Sequence, residues 1–195
     1  MATILTVSAS PSPASKSAAT RRLVDEQLSA LGHRVHSLDA RDLPPEALLG
    51  ADSAHPAIAA ALDLFERADG VVVVTPVYKA AYSGLLKTLL DLLPQTGLAG
   101  KVVLPLATGG TTAHVLAIDY ALRPVLSSLG SAQVVQGYFL LDRDITRDPE
   151  GRAVVAADSH ASLARAVDRF AEALALHHRE GSERAEDYVL MPVSG

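Results

Sequence analysis

A chain of 195 residues, of which 49% are hydrophobic, is long enough for one globular domain with a single large core. Its formal net charge of -5 argues against broad contact with nucleic acid or an anionic membrane, and no apolar run approaches the roughly 18 to 20 residues that cross a bilayer. The absence of cysteine excludes disulfides and a thiolate site, and the chain opens on a strand pattern rather than an export signal, so we expect a cytoplasmic protein.

The predicted elements alternate between strands and helices along the chain. Apolar, β-branched runs predict strands at 3–7, 34–38, 71–74, 101–107 and 133–141. Helical spacing predicts a first helix from Ser15 or Ser17 to Gly32, and further helices at 58–65, 83–93, 115–129 and 156–177. Residues 44–56 and 142–151 read as an irregular connection and a polar loop. We expect one domain over 1–177 and a polar tail over 178–195, of the kind that is often mobile.

Five strands alternating with helices imply a parallel sheet that is covered on both faces, because right-handed crossovers leave few other arrangements. The four valines at 71–74 predict a strand that is buried on both faces, and we expect Pro76 to end it. In such a doubly wound α/β domain, ligands bind at the carboxyl ends of the strands. The loops at that edge are therefore the candidate binding segments.

The loop after the first strand is rich in hydroxyl groups and leads into a helix. Its hydroxyls and one ammonium belong to Ser8, Ser10, Ser12, Ser15, Ser17 and Lys16. Because a helix N-terminus offers unpaired N–H groups and the positive end of a dipole, these groups together suit a phosphate. A serine-rich turn with an ordinary helix cap is the alternative. The loop matches neither G-x-G-x-x-G nor G-x-x-x-x-G-K-[ST], which disfavours a Rossmann dinucleotide site and a nucleotide triphosphatase.

Two further loops follow the third and fourth strands. Tyr78 is placed to lie against a planar ligand beside Val77, although Tyr78 and Tyr82 could instead cover the end of the sheet. The glycines of the loop at 108–111 let backbone amides approach a ligand, or form a tight turn. Three such loops at one edge favour a flat phosphorylated cofactor with the shape of FMN. We therefore predict a flavodoxin-like fold with helices on both faces and the strand order 2-1-3-4-5, which the element pattern alone does not fix.

No side-chain constellation for acid–base or metal chemistry stands out. The seven histidines are scattered and no carboxylate cluster joins them, so we expect no metal site. We find no triad or carboxylate dyad and assign no catalytic side chain.

Several stretches resemble a known family. They lie at 68–75, 76–84, 86–94, 100–111 and 117–126, and the runs 75–91 and 104–124 are the most specific. They are similar to the NADPH-dependent FMN reductases of the flavodoxin-like superfamily, and most closely to the reductases of bacterial two-component monooxygenase systems that use alkanesulfonates. The resemblance covers most of residues 1–140, and little of it extends beyond Leu141.

The resemblance implies hydride transfer from NADPH or NADH to FMN, followed by release of reduced FMN to a partner monooxygenase. It also implies a homo-oligomer, either a tetramer or a dimer, while the charge and composition predict no nucleic-acid or membrane partner. Carried over position by position, the phosphate contacts would be Ser8, Ser10, Ser15, Lys16 and Ser17. The ring contacts would be Pro76, Val77 and Tyr78, and the contacts to the polar edge of the ring would be Thr108, Gly109 and Gly110.

Tyr120 has a separate role by resemblance. A tyrosine at this motif position forms a π-bulge in the fourth helix at a tetramer interface and is associated with exchange of flavin as a substrate. Pro124 has no N–H to donate to the carbonyl group of Tyr120, so the helix is expected to be distorted here. A proline kink with a surface tyrosine is the alternative, since the apolar spacing of this helix shows no break.

Two other functions remain compatible with the residues. A quinone or azo-dye reductase would keep its FMN and pass electrons to an organic acceptor. A flavodoxin-like electron carrier would bind FMN tightly and have no nicotinamide activity. Lys16 and the mild negative charge of the chain count against the carrier, and no residue identifies NADPH over NADH.

Overall fold

The computed structural model describes residues 1–12, 14–150 and 152–189, with side chains up to residue 180. The strands are β1 Thr3–Ser8, β2 Arg34–Asp39, β3 Gly70–Tyr78, β4 Ala81–Tyr82, β5 Val102–Gly109, β6 Gln133–Val134, β7 Tyr138–Leu141, β8 Ile145–Arg147 and β9 Ala153–Val155. The α-helices are α1 Lys16–Ala30, α2 Pro45–Leu49, α3 Pro56–Arg67, α4 Gly84–Leu90, α5 Arg123–Ser128 and α6 Ala157–Val189. A π-helical segment, Ile118–Leu122, precedes α5.

The main sheet is parallel along its central path, in the order β2-β1-β3-β5-β6, with β7 also pairing with β5. Since β6 and β7 are two parts of the fifth parallel strand, the predicted order 2-1-3-4-5 is confirmed. Pro105 of β5 explains the interruption. The carbonyl group of Val103 accepts from Val135, so alternate residues of β5, including Pro105, face the fifth strand. Pro105 has no N–H to donate there, and the ladder breaks.

The core has two layers, one on each face of the sheet, as the four valines predict. Val71 and Val73 pack against α3 and α4, while Val72 and Val74 pack against α1 and α6. All four side chains are buried. Each buried valine contributes about 1.5–3 kcal/mol from removal of apolar surface from water. The helix-covered sheet is thus a rigid support for the loops at its carboxyl edge.

The prediction that Pro76 ends the third strand is wrong, because β3 continues to Tyr78 and turns back into β4. The carbonyl group of Val74 accepts a hydrogen bond from Ala9, so Val74 and Pro76 both face the side of β1. β1 ends at Ser8. A proline facing this open side removes no ladder hydrogen bond.

Three other segments differ from the sequence prediction. The irregular connection at 44–56 contains the short helix α2, and the polar loop at 142–151 contains a 3-10 turn and β8, which pairs with β9 in an antiparallel hairpin. The final helix was expected to end at 177 but continues to Val189. Residues 190–195 of the predicted tail lie outside the described residues, and the division into a domain over 1–177 and a tail remains a prediction.

The fourth crossover helix is not a continuous α-helix. The N–H group of Arg123 bonds to the carbonyl group of Ile118, five residues back, and α5 starts directly afterwards. Pro124 follows at the start of α5, where it cannot donate to the carbonyl group of Tyr120. The expected distortion is therefore present, in the form of a π-helical turn that contains Tyr120.

Helix α6 crosses the sheet from its carboxyl edge to its amino edge. Near its start, Ser159 donates to Asp144 at 2.7 Å. Further along, it packs so closely on the first residue of β3 that a Cβ at Gly70 would lie 2.8 Å from Cζ of Phe170. His177 bonds to the carbonyl group of Gly100 at 2.9 Å, just before β5. None of the helices within the described ranges is long and apolar enough to cross a membrane.

Candidate functional site

The loops that follow β1, β3 and β5 meet in one cleft of about 190 Å³ at the carboxyl edge of the sheet. The cleft is lined by Ser10, Ser12, Ala14, Ser15, Lys16, Pro76, Val77, Tyr78, Thr108, Gly109 and Asp142. Eight of the eleven predicted contact residues are therefore brought together. Ser8, Ser17 and Gly110 are not among the lining residues.

The first loop forms the polar end of the cleft at the N-terminus of α1. Ser15 caps this helix, since its hydroxyl group accepts from the N–H of Ala18 at 3.2 Å. The hydroxyl group of Ser10 accepts from the N–H of Ser12 at 3.3 Å. Hydroxyl groups and the first turn of a fifteen-residue helix thus converge at this end, where an anion would be favoured.

Two serines predicted to bind phosphate do not line the cleft. Ser8 is the last residue of β1 and pairs with Asp39 and Val74 of the neighbouring strands. Ser17 lies in the first turn of α1, where its hydroxyl group is 2.6 Å from that of Ser15. Both side chains are buried. Ser17 therefore supports the capping residue, and Ser12, another hydroxyl of the first loop, lines the cleft.

Lys16 lines the cleft from the first residue of α1. Its ammonium group donates a hydrogen bond to the carbonyl group of Ile145, at the start of β8. This bond holds the cation beside the polar end of the cleft. It also joins the first loop to the segment after β7, which sequence reading treated as unrelated to the site.

The end of β3 forms the apolar wall of the cleft. Pro76 and Val77 line it, and Tyr78 is 48% exposed, which leaves one side of its ring open to a planar ligand. The wall continues into a two-residue turn to β4, formed by Lys79 with φ 50° and Ala80 with φ 64°. Both φ angles lie in the left-handed region, where the backbone favours glycine, although neither residue is a glycine.

Ser83 connects this wall to the first loop, a role that sequence reading missed. Its hydroxyl group donates to the carbonyl group of Ala9 at 2.5 Å and accepts from the N–H of Leu86 at 3.1 Å, which caps α4. Its own N–H donates to Oγ1 of Thr75 at 3.0 Å. Ser83 is buried. The only sequence signal was its place as a helix start, which does not reveal the bond to Ala9.

The third loop, after β5, contributes Thr108 and Gly109 to the cleft. A Cβ at Gly109 would lie 2.8 Å from Cζ of Phe139, so packing against β7 requires glycine here. Gly110 is exposed, and a Cβ there would lie 3.9 Å from Oδ2 of Asp142. Asp142 was missed because it follows the fifth strand in sequence and belongs to no recognised motif.

The arrangement combines an anion-binding end with an apolar wall, which suits a planar phosphorylated ligand. Among residues 1–180, where side chains are described, no three His, Cys, Asp or Glu residues are placed to hold a metal ion. Two larger cavities, of about 410 and 490 Å³, lie at the amino end of β5 and between α2 and α4. Both have mainly hydrophobic linings and lack the serine cluster, so the smaller cleft is the stronger candidate.

Comparison with known proteins agrees with this reading. The sequence matches a family described as NADPH-dependent FMN reductase over residues 2–146. A protein named FMN reductase (NADPH) from Escherichia coli strain K12 is 44% identical over 177 residues, 91% of this chain and 91% of that protein. One of the same name from Pseudomonas putida is 46% identical over 142 residues, 73% and 72% of the two chains.

The fold also has solved counterparts. The apo form of an NADH:FMN oxidoreductase named EMOB has a TM-score of 0.80 and 42% identity, covering 87% of this chain and 88% of that chain. A flavodoxin from the domain Archaea has a TM-score of 0.59 over 88% of this chain and 98% of that chain, at 12% identity. The latter likeness shows that the fold is flavodoxin-like.

Proposed function

This chain belongs to the family of NADPH-dependent FMN reductases and is an oxidoreductase that uses NADPH or NADH with FMN, and we propose that it releases reduced FMN to a separate monooxygenase. The motif resemblance over 75–91 and 104–124 supports a partner that acts on alkanesulfonates. The single observation that carries the proposal is the small, open cleft at the carboxyl edge of the sheet.

We propose that FMN lies across this cleft with its phosphate at the N-terminus of α1. Ser10, Ser12, Ser15 and Lys16 would hold the phosphate through hydroxyl groups and one ammonium group. The ring would lie against Tyr78 and the end of β3, with its polar edge at Thr108 and Gly109. These residues fit the ligand because the polar and apolar parts of the cleft match the two ends of FMN.

Bound FMN would supply the hydride acceptor, and the residues of the cleft would hold the flavin ring in position for the nicotinamide. Pro76, Val77 and Tyr78 would exclude water from one face of the ring and leave the other face for the nicotinamide. No residue of the described lining needs to act as a general base, because hydride transfer requires none.

The cleft geometry supports FMN as an exchanging substrate rather than a retained cofactor. Its volume of about 190 Å³ is below the range of about 300–1,000 Å³ that is typical of pockets enclosing a small molecule. Tyr78 stays half exposed beside it. A ligand of the size of FMN would keep much of its surface in water, which favours rapid dissociation.

We also propose a homo-oligomer, a tetramer or a dimer, with the π-helical segment at one interface. Tyr120 is 79% exposed and Leu116 is 56% exposed on this segment and the turn before it. Neighbouring exposed apolar side chains favour association. The motif resemblance supports the same interface.

Steady-state kinetics test the reductase. We expect initial rates with varied FMN and varied NADPH to fit a sequential mechanism, and gel filtration to separate the protein from FMN. NADH in place of NADPH measures the nicotinamide preference. A yellow protein that keeps FMN and follows a ping-pong mechanism would instead support a quinone or azo-dye reductase. Tight FMN without nicotinamide oxidation would support an electron carrier.

A coupled assay tests the partner. The purified chain, FMN and NADPH are mixed in air with an alkanesulfonate and a flavin-dependent alkanesulfonate monooxygenase, and sulfite release is measured. We expect sulfite at a rate that depends on the concentration of the reductase. If photochemically reduced FMN supports sulfite release but this chain does not, the proposal of a monooxygenase partner of this class is wrong.

A further inference from the structure

We propose that Asp142 weakens the binding of reduced FMN relative to oxidised FMN and so favours release of the reduced product. This inference rests on the proposed function, because it assumes that FMN binds in the cleft after β1, β3 and β5. It adds a residue that neither the sequence motifs nor the family resemblance includes.

Asp142 has an unpaired carboxylate at the cleft. It directly follows β7, begins a 3-10 turn and lines the cleft together with Thr108 and Gly109. Its Oδ2 lies 3.9 Å from the position of a Cβ on Gly110, the loop expected at the polar edge of the ring. Within the described part of the chain, no hydrogen bond or ion pair engages this carboxylate.

The neighbouring charged groups are occupied by other partners. Lys16, the cation of the cleft, donates to the carbonyl group of Ile145 rather than to Asp142. Asp144, two residues further on, accepts from Ser159 at 2.7 Å and lies 3.8 Å from Arg143. Of the two aspartates in this turn, Asp142 is the one that lines the cleft.

The charge of the ligand changes during the reaction. A hydride carries two electrons and one proton, so the ring of oxidised FMN gains one negative charge as NADPH becomes NADP⁺, until a second proton is added. A fixed carboxylate beside the polar edge of the ring repels this added charge. The effect acts on reduced FMN more than on oxidised FMN, and it favours the exchange that a diffusible product requires.

Binding measurements with two variants test the inference. Asp142→Asn removes the charge and keeps the shape, whereas Asp142→Glu keeps the charge. The Kd of oxidised FMN is measured by fluorescence titration, and the Kd of reduced FMN, which is nearly non-fluorescent, by anaerobic ultrafiltration of the protein mixed with photochemically reduced FMN. For Asp142→Asn we expect the Kd of reduced FMN to fall relative to the Kd of oxidised FMN by about three- to tenfold. For Asp142→Glu we expect little change in this ratio.

The midpoint potential of bound FMN gives an independent readout. A three- to tenfold shift in the ratio raises the potential of a two-electron couple by about 15–30 mV in Asp142→Asn, since a tenfold change corresponds to about 30 mV. The Kd of oxidised FMN serves as the control within each variant, because general damage to the site would weaken the binding of both redox states. Asp142→Ser carries the same expectation if Asp142→Asn fails to fold.

The outcomes separate this inference from the proposed function. If Asp142→Asn tightens both redox states equally, the carboxylate acts on the phosphate, and the inference is wrong. An unchanged ratio overturns it as well. If the unmodified protein binds FMN in neither state, the proposed function itself fails. Normal FMN binding with an unshifted ratio leaves that function intact and removes only the role of Asp142.

Discussion

Ser83 is the residue on which the geometry of the cleft depends most directly. It joins the first loop at Ala9, the end of β3 at Thr75 and the start of α4 at Leu86 through three hydrogen bonds. In Ser83→Ala the carbonyl group of Ala9 loses its donor, and the N–H of Leu86 keeps only its bond to the backbone carbonyl group of Ser83 at 3.1 Å. Because these groups are buried, we expect a loss of about 1–3 kcal/mol in unfolding free energy, measured by urea denaturation, together with weaker FMN binding.

Thr88→Ala is the matched control on the same helix. The hydroxyl group of Thr88 bonds to the carbonyl group of Gly84 at 2.9 Å on the exposed side of α4. We expect its loss to change stability by no more than about 0.5 kcal/mol and to leave FMN binding intact. Equal effects of the two substitutions would contradict the linking role of Ser83.

Single residues of the site could be predicted where a loop follows a recognisable strand. Tyr78 and Gly109 meet in the cleft because the carboxyl ends of β3 and β5 are adjacent in a parallel sheet. Ser8 could not be separated from the serines that line the cleft, because β1 extends one residue beyond the predicted end and takes Ser8 into the sheet. Asp142 had no signal at all, since only the tertiary fold brings it to Gly110.

Among the elements, the β3–β4 hairpin stores backbone strain beside the cleft. Lys79 and Ala80 both adopt positive φ angles in its turn, a conformation that costs roughly 1–2 kcal/mol for a residue with a Cβ. We expect Ala80→Gly to raise the free energy of unfolding by about 1 kcal/mol, measured by urea denaturation. The same substitution should loosen Tyr78 and raise the KM for FMN if the strain helps to position the wall.

Ala81→Gly is the control for this hairpin. Ala81 belongs to β4 and is not among the residues with positive φ, so glycine there only adds freedom to the unfolded chain. We expect a loss of about 0.5–1 kcal/mol. Stabilisation by Ala81→Gly, or none by Ala80→Gly, would show that the turn is not strained.

Helix α1 is tied to β1 and β2 by a buried polar network. The carboxylate of Asp25 accepts from Thr6 at 2.5 Å and from Ser37 at 2.9 Å, and it pairs with Arg21. Burial raises the pKa of Asp25 above its ordinary value of 3.8, although these hydrogen bonds and Arg21 act in the opposite direction. The folded state therefore takes up the proton at higher pH than the unfolded state.

This shift predicts a pH dependence with a definite sign. The folded state gains stability from Asp25 as the pH falls through the raised pKa toward 3.8, and it loses that stability as the pH rises. Asp25→Asn has no such titration. In urea denaturation at several pH values, we expect the difference in unfolding free energy to shift in favour of the unmodified protein as the pH falls. A constant difference, or the opposite shift, would contradict the raised pKa.

The elements themselves were predictable where hydrophobic periodicity was strong. The valines of β3 and the apolar face of α3 are examples. The predicted end of β3 at Pro76 was wrong because a missing N–H interrupts a strand only if a neighbouring strand lies opposite it. Whether β1 reaches that far cannot be read from the local sequence around Pro76. The β8–β9 hairpin was missed because its strands have only three residues each, which is too short for a hydrophobic pattern, and they form only by pairing with each other.

For the whole molecule, the proposed interface at the exposed π-helical segment would link flavin exchange to assembly. If Tyr120 lies at a subunit interface, Tyr120→Ala should strengthen FMN retention several-fold and slow turnover with a monooxygenase. Flavin that co-elutes on gel filtration and the rate of the coupled reaction are the measurements. The elution volume reports the oligomeric state in the same experiment.

Tyr120→Phe keeps the ring and removes only the hydroxyl group. We expect it to elute with the same oligomeric state as the unmodified protein and to keep most of the coupled rate. Unchanged flavin content and unchanged rate in Tyr120→Ala would contradict a role of Tyr120 in exchange. The π-helical turn would then be a local consequence of Pro124 alone.

The course of α6 determines where the enzyme can be attached to a surface. After its contacts with Gly70 and Gly100 at the amino edge of the sheet, the helix continues to Val189, about 16 Å beyond His178 at the rise of an α-helix. The chain contains no cysteine. One cysteine introduced on this last stretch would give a unique coupling point for an electrode or resin, with the cleft facing the solution at the opposite edge.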